Sequence, residues 1–292
     1  SLPQHLPEEQ KCTLFADDTT IIIPIDRHQQ QNSNIVNTAL ENVTSICNRI
    51  CLNINKNKTT HIKFTPNNRK LEEEWTSLEI PTASSTKFLG VVIDQNLNWQ
   101  YHIDHLSKKL ASAQYVIRRI RTLTNEETSL VAYHALFHSH LRYGIAAWGS
   151  TTSKNMDKIL IMQKKIIRTM LRLSPMEHCK PHFTKLNILT VISQYILETI
   201  ILAKNSAHTL RTEQHAHNLR NTNNIDLPQH HLQKFSNSPF YAGSKFHNQL
   251  PDHIKSITNT KTFISTLKQY LNGRPYYSIS EYTEEHTYRH FK

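Results

Sequence analysis

An α+β fold dominated by helices is what the sequence predicts, and three observations carry that reading. Only 5 of the 292 residues are glycine, well under the roughly 7% of an ordinary chain, which disfavours a sheet-rich fold with many tight turns. Residues 1–95 order as strand, strand, helix, strand, strand, a run that suits one helix on a small antiparallel sheet. After Asn98 the apolar residues recur at spacings of three and four, the period of amphipathic helices. The expected organisation is therefore a sheet-containing region over 1–95, a helical bundle over 96–210, and a linker with a small basic, histidine-rich region over 211–292.

Each element follows from local pattern. Lys11–Phe15 and Thr19–Ile25 are rich in Thr and Ile and flank Ala16-Asp17-Asp18, which reads as a hairpin with acids at its tip. Ile35, Ala39, Val43, Ile46 and Ile50 mark a helix over 34–52 capped by Ser33 or Asn34. A short strand over 61–65, a polar turn region over 66–74 and a single strand over 87–94 complete the sheet region. Trp99, Ile103, Leu106, Leu110, Ala113, Ile117 and Ile120 then define a helix of about six turns. Further helices are expected at 126–141, 153–173 and 185–210, and a last small unit at 239–272. The tail after Pro275 is expected to be loosely held.

Charge narrows the partners. Lys and Arg total 34 against 23 acids, a formal net charge of +11, with 19 histidines besides. An excess of this size points to a polyanion, because Lys and Arg neutralise phosphates and release counterions. The basic residues fall on helix faces: Lys108, Lys109, Arg118, Arg119 and Arg121 on one, Lys164, Lys165 and Arg168 on another. No apolar run reaches the length of a membrane span. The four cysteines show no CxxC pairing and no disulfide framework, which suits an intracellular chain. Cys47 with Cys51, and Cys179 with His178 and His182, are weak zinc groupings, and buried free thiols are the favoured reading.

Two adjacent carboxylates at a hairpin tip repel each other unless cations neutralise them, and Mg²⁺ prefers such hard oxygen ligands. Asp-Asp in a turn is common, so this pair needs company. The company comes in order: Phe15-Ala16-Asp17-Asp18, then Asn55-Lys56-Asn57-Lys58-Thr59, then Phe88-Leu89-Gly90, then Leu97-Asn98-Trp99 with His102-Ile103. Leu141-Arg142-Tyr143-Gly144, Ala147-Trp148-Gly149 and Phe246-His247-Asn248-Gln249-Leu250-Pro251 follow. In this order and spacing the chain resembles the reverse transcriptases of non-LTR (LINE-type, jockey-like) retrotransposons, over about residues 11–272, from the end of the palm through the thumb and the downstream region.

The resemblance implies roles. Asp17 and Asp18 would hold two Mg²⁺ ions for nucleotidyl transfer from a dNTP. Lys58 would protonate the leaving pyrophosphate. Phe88, Leu89 and Gly90 would form the primer grip, and the basic helices would lie along an RNA template and DNA primer, or an RNA–DNA duplex. Trp99 and Trp148 are read as core anchors. Nuclear action follows from the resemblance alone.

The chain also departs from the family. The pattern needs fingers and a further metal-binding Asp on an upstream strand, whereas only Glu8 and Glu9 precede Asp17. The start without Met, so close to the Asp pair, leads to the expectation of a C-terminal fragment, inactive by itself. The competing reading is a degenerate or repurposed module that binds nucleic acid by charge without catalysis. Oligomeric state is not legible in the sequence.

Overall fold

The computed structural model describes residues 10–25, 32–64, 80–206 and 223–287. It is α+β and helix-dominated, with two small two-stranded sheets. Two compact units are present. One comprises the residues up to Thr86 together with Asp94–Leu97, and the other comprises Lys87–Ile93 and the residues from Asn98 onward.

In the first unit β1 (Lys11–Phe15) pairs antiparallel with β2 (Asp18–Ile22), in a register that sets Lys11 opposite Ile22 and Phe15 opposite Asp18. Two residues, Ala16 and Asp17, make the connection. A two-residue hairpin loop needs positive φ at its first position to match strand twist, and Ala16 adopts φ 51° without being glycine. Helix α1 (Asn32–Arg49) buries Val36, Ala39 and Val43 at helical spacing. It starts earlier than its pattern suggested, so Ser33 and Asn34 lie within its first turn and the cap position falls outside the described residues, as does the whole polar turn region at 66–74. The strand expected at 61–65 reduces to one parallel bridge between His61 and Thr82. There the His61 N–H donates to the Pro81 carbonyl and the Ala83 N–H to the His61 carbonyl.

The single strand expected over 87–94 is instead two, β3 (Ser85–Phe88) and β4 (Val91–Asp94), paired with each other. The residues that divide them are Leu89 and Gly90, at φ 44° and 85°. Two successive left-handed residues reverse the chain, which an apolar run alone does not reveal.

The second unit is built on helices. Helix α2 (Gln100–Leu123) buries Ile103, Leu106, Leu110, Ala113 and Ile117 against α6 (Ser153–Leu171), whose buried face carries Met156, Ile159, Leu160, Ile166, Ile167 and Met170. Each fully buried Leu or Ile contributes about 1.5–3 kcal/mol. Between them run α3 (Glu126–Ala132), a π-helical turn (Tyr133–His138), α4 (Ser139–Arg142) and α5 (Ile145–Trp148). A short helix, α7 (Lys180–Lys185), comes first, and the helix expected over 185–210 is α8 (Val191–Asn205), which begins six residues later than expected, with 207–210 outside the described residues. Thr190 ends the intervening loop and caps α8, its hydroxyl accepting from the Ser193 N–H.

Helix α8 is buried along nearly its whole length and is the centre of this unit. Its heaviest packing is against the Pro239–Asn248 helix, where Gly243 lies so close that a Cβ there would fall 2.0 Å from the Thr199 carbonyl oxygen. Residues 223–287 thus share one apolar core with α2–α8, through Phe246, Leu250, Ile254, Phe263, Leu267 and Leu271. The tail is not loosely held within the described residues. Tyr276 and Tyr282 are buried, the Tyr282 hydroxyl donates to the Phe246 carbonyl, and Tyr276 donates to Glu285.

Candidate functional site

The hairpin tip presents Asp17 and Asp18 to solvent, Asp17 in the turn itself and Asp18 as the first residue of β2. No basic side chain forms an ion pair with either among the described residues. Two uncompensated, adjacent carboxylates suit a hard divalent cation. They are not a complete site, because no group of three or more His, Cys, Asp or Glu able to hold a metal occurs among the described residues. Two ions bridged in the manner of a polymerase need more oxygen donors than this pair supplies.

Lys58 is exposed in a turn organised by Asn55. The Lys58 N–H reaches both the Asn55 carbonyl (3.0 Å) and its side-chain Oδ1 (3.3 Å), while Thr59 donates to the same carbonyl through its N–H (3.0 Å) and its hydroxyl (2.9 Å). The motif Asn-x-x-Lys-Thr is therefore a physical unit, a helical turn capped by the Asn55 side chain that fixes where Lys58 leaves the backbone. Its Asn and Thr shape the turn, and Lys58 is left for solvent or ligand.

The Phe88-Leu89-Gly90 segment lies in the second unit's part of the chain and is tied to its helices. The Tyr143 hydroxyl donates to the Leu89 carbonyl at 2.5 Å, and the Tyr143 ring covers Gly90, where a Cβ would sit 3.3 Å from Tyr143 Cε1. Gly144, itself at φ 63°, admits the Val91 side chain, since a Cβ there would lie 3.0 Å from Val91 Cγ2. Trp148 closes the arrangement, its indole N–H donating to the Tyr143 carbonyl at 2.9 Å. The Leu-Arg-Tyr-Gly and Ala-Trp-Gly motifs are thus the clamp that holds the Phe-Leu-Gly turn. Trp148 is fully buried, as expected, and Trp99 packs half-buried on the same core.

On the other side of the turn His102 is buried and its Nδ1 accepts from the Val92 N–H at 3.3 Å. Burial, with His105 and Lys109 nearby, pushes its pKa down to about 4. A neutral ring accepting at Nδ1 carries its proton on Nε2, and that buried Nε2 has no partner. A donor left so costs about 1–3 kcal/mol. Gly90, His102, His105, Lys109, His140 and Tyr143 surround a cavity of about 170 Å³ here. Two nominated groups, Gly90 and Lys109, meet in it.

The other nominated cations divide. Lys108, Arg118, Arg119 and Lys165 are exposed. Arg121 donates instead to the carbonyls of Met170 (2.6 Å) and Thr124 (2.9 Å), and Arg168 makes two bonds to the Glu177 carbonyl. Lys164 stands 3.7 Å over the Tyr277 ring, and burial lowers its pKa. These three hold helix ends and the tail in place. The Phe246–Pro251 motif is structural as well: Asn248 brackets Ile225, accepting from its N–H and donating to its carbonyl, both at 2.8 Å. His102, His105, His140 and Tyr143 were assigned no role from sequence. Tyr143 could have been, since it stands inside a quoted motif beside a glycine.

Comparison with known proteins places these features in company. The chain is 25% identical over 182 residues to "Probable RNA-directed DNA polymerase from transposon BS" of Drosophila melanogaster, covering 56% of this chain and 19% of that protein. It is 23% identical over 125 residues to "Probable RNA-directed DNA polymerase from transposon X-element" of the same organism, covering 40% and 13%. The chain is distantly related to transposon RNA-directed DNA polymerases. It spans about a fifth or less of the length of these relatives. No family model and no solved structure matches.

Proposed function

We propose that this chain carries the aspartate-pair hairpin and the nucleic-acid-holding helices of a non-LTR retrotransposon reverse transcriptase. The observation that carries the reading is the hairpin tip: Asp17 and Asp18 stand exposed and, among the described residues, without a cationic partner, in a chain related to transposon polymerases. The donor chemistry fits Mg²⁺, which would supply charge neutralisation at the primer hydroxyl and the departing pyrophosphate. The chain's own residues do the rest. Lys58, set by the Asn55 turn, would give a proton to the leaving group. The Leu89-Gly90 turn would hold the primer end, positioned by Tyr143 and Trp148. Exposed Lys108, Arg118, Arg119 and Lys165 would meet phosphates along an RNA–DNA duplex, without reading sequence. Such chemistry on chromosomal DNA belongs in the nucleus. Among the described residues no helix is long and apolar enough to cross a membrane.

One carboxylate pair leaves the metal site incomplete, so the isolated chain should bind an RNA–DNA duplex yet extend no primer. A primer-extension assay with Mg²⁺, run beside duplex binding at two salt concentrations, tests both parts. Binding that weakens steeply with salt, with no extension, is expected. Template-directed synthesis would overturn the incomplete site, and absence of duplex binding would overturn the polymerase reading.

A further inference from the structure

We infer that the cavity beneath the Leu89-Gly90 turn is a phosphate-binding pocket, built from His102, His105, Lys109 and His140, that takes one phosphodiester of a nucleic-acid strand. Its lining has a chemical bias: three imidazoles, one ammonium, a tyrosine, a glycine and a leucine surround about 170 Å³, and no carboxylate is among them. Lys109 has no acidic partner among the described residues.

The pocket also holds buried imidazole nitrogens without partners, and at least one of them is a donor. The Val92 N–H occupies His102 Nδ1, so the His102 proton sits on Nε2, which is buried and unpartnered. The Nε2 of His105 is buried and unpartnered as well. Local charge beside His105 is positive. His105 is held below the ordinary imidazole range by burial first and then by Lys109, Lys87 and Lys108. An oxyanion would supply acceptors for the imidazole N–H groups and a counter-charge for Lys109 at once. The tyrosine hydroxyl is committed to the Leu89 carbonyl, so an occupant would touch the same turn that Tyr143 clamps. Gly90, at φ 85°, lines the same cavity.

The chemistry of the pocket stands without the polymerase reading; only the strand form of its ligand rests on that reading. The test follows imidazole ¹H–¹⁵N signals of the full chain by NMR, in one arm with inorganic phosphate and in another with a short single-stranded oligonucleotide. Phosphate should shift the His102 and His105 signals, and Lys109→Gln should weaken phosphate affinity at least about tenfold. Lys261→Ala, which removes an exposed charge elsewhere, should change it less than about twofold. A thermal melt confirms that each variant is folded, and His105→Asn gives a second, independent loss. Shifts with both ligands, competing with each other, support the strand phosphodiester. Shifts with inorganic phosphate alone support a pocket for free phosphate and overturn the strand form. No shift at saturating phosphate, or equal loss in Lys109→Gln and Lys261→Ala, overturns the pocket. Duplex binding that persists in that case leaves the polymerase reading standing.

Discussion

The β1–β2 hairpin and the helical unit answer the same problem, burying apolar side chains, with opposite success. In the hairpin Leu14, Phe15 and Ile22 remain 48%, 62% and 56% exposed. In the helical unit Trp148, Tyr133, Phe137, Phe183, Phe263 and Tyr282 are all fully buried in one continuous core. A two-stranded hairpin is marginal in water because neither face is covered, whereas stacked amphipathic helices cover each other. The hairpin with the carboxylates is therefore held little by its own packing, whereas the unit with the basic faces buries a continuous core.

The comparison breaks most visibly in the helical core. Trp148→Ala should cost about 3–5 kcal/mol, read as a lowered denaturation midpoint of the helical unit with the hairpin's signals unmoved. Acid should act on the same unit. His102 and His247 are buried, with pKa values pushed down to about 4, chiefly by burial. The unfolded chain takes up protons from about pH 6.5 downward while the folded chain does not. Stability is therefore complete above pH 6.5 and falls as pH drops toward 4, by on the order of 3 kcal/mol for each histidine. A denaturation series across that window checks the slope, and a flat profile would remove both histidines from the core account.

Gly243→Ala comes next. Its Cβ would strike the Thr199 carbonyl at 2.0 Å, backbone that cannot step aside, so a loss of about 1–3 kcal/mol is expected. Tyr143→Phe removes one hydrogen bond to the Leu89 carbonyl while keeping the ring over Gly90. It should cost about 1 kcal/mol and speed hydrogen exchange at the turn without unfolding the core. Smallest, and opposite in sign, is Ala16→Gly. Relief of a left-handed alanine should stabilise the hairpin by at most about 1 kcal/mol, visible as a larger population of cross-strand contacts by NMR.

Much of this architecture was legible in the sequence where a period is long. The α2 and α6 faces follow from spacings of three and four over many turns, and the hairpin follows from two Thr- and Ile-rich runs around an acidic tip. Breaks that depend on backbone dihedrals were not legible. Leu89 at φ 44° turns one expected strand into two, and leucine gives no warning of that. Thr190 caps α8, so that helix begins at Val191 rather than at 185, a signal that an apolar-periodic stretch hides. For the candidate site, the order of motifs singled out Asp17, Asp18, Lys58 and Gly90, residue types that the proposed chemistry demands. It did not expose the clamp, because Tyr143 and His102 reach the turn from 54 and 10 residues away. Nor could charge alone separate exposed Arg118 and Arg119 from Arg121, Lys164 and Arg168, which are spent on carbonyls and a ring.

The most direct test of the central claim is hydroxyl-radical cleavage of a bound template–primer duplex with Fe²⁺ substituted for Mg²⁺, comparing the chain with its Asp17→Asn variant. Cleavage centred on the primer 3′ end, lost in the variant while duplex affinity is kept, is the predicted result. Cleavage spread evenly along the duplex, or unchanged by Asp17→Asn, would contradict a metal-holding role for the hairpin.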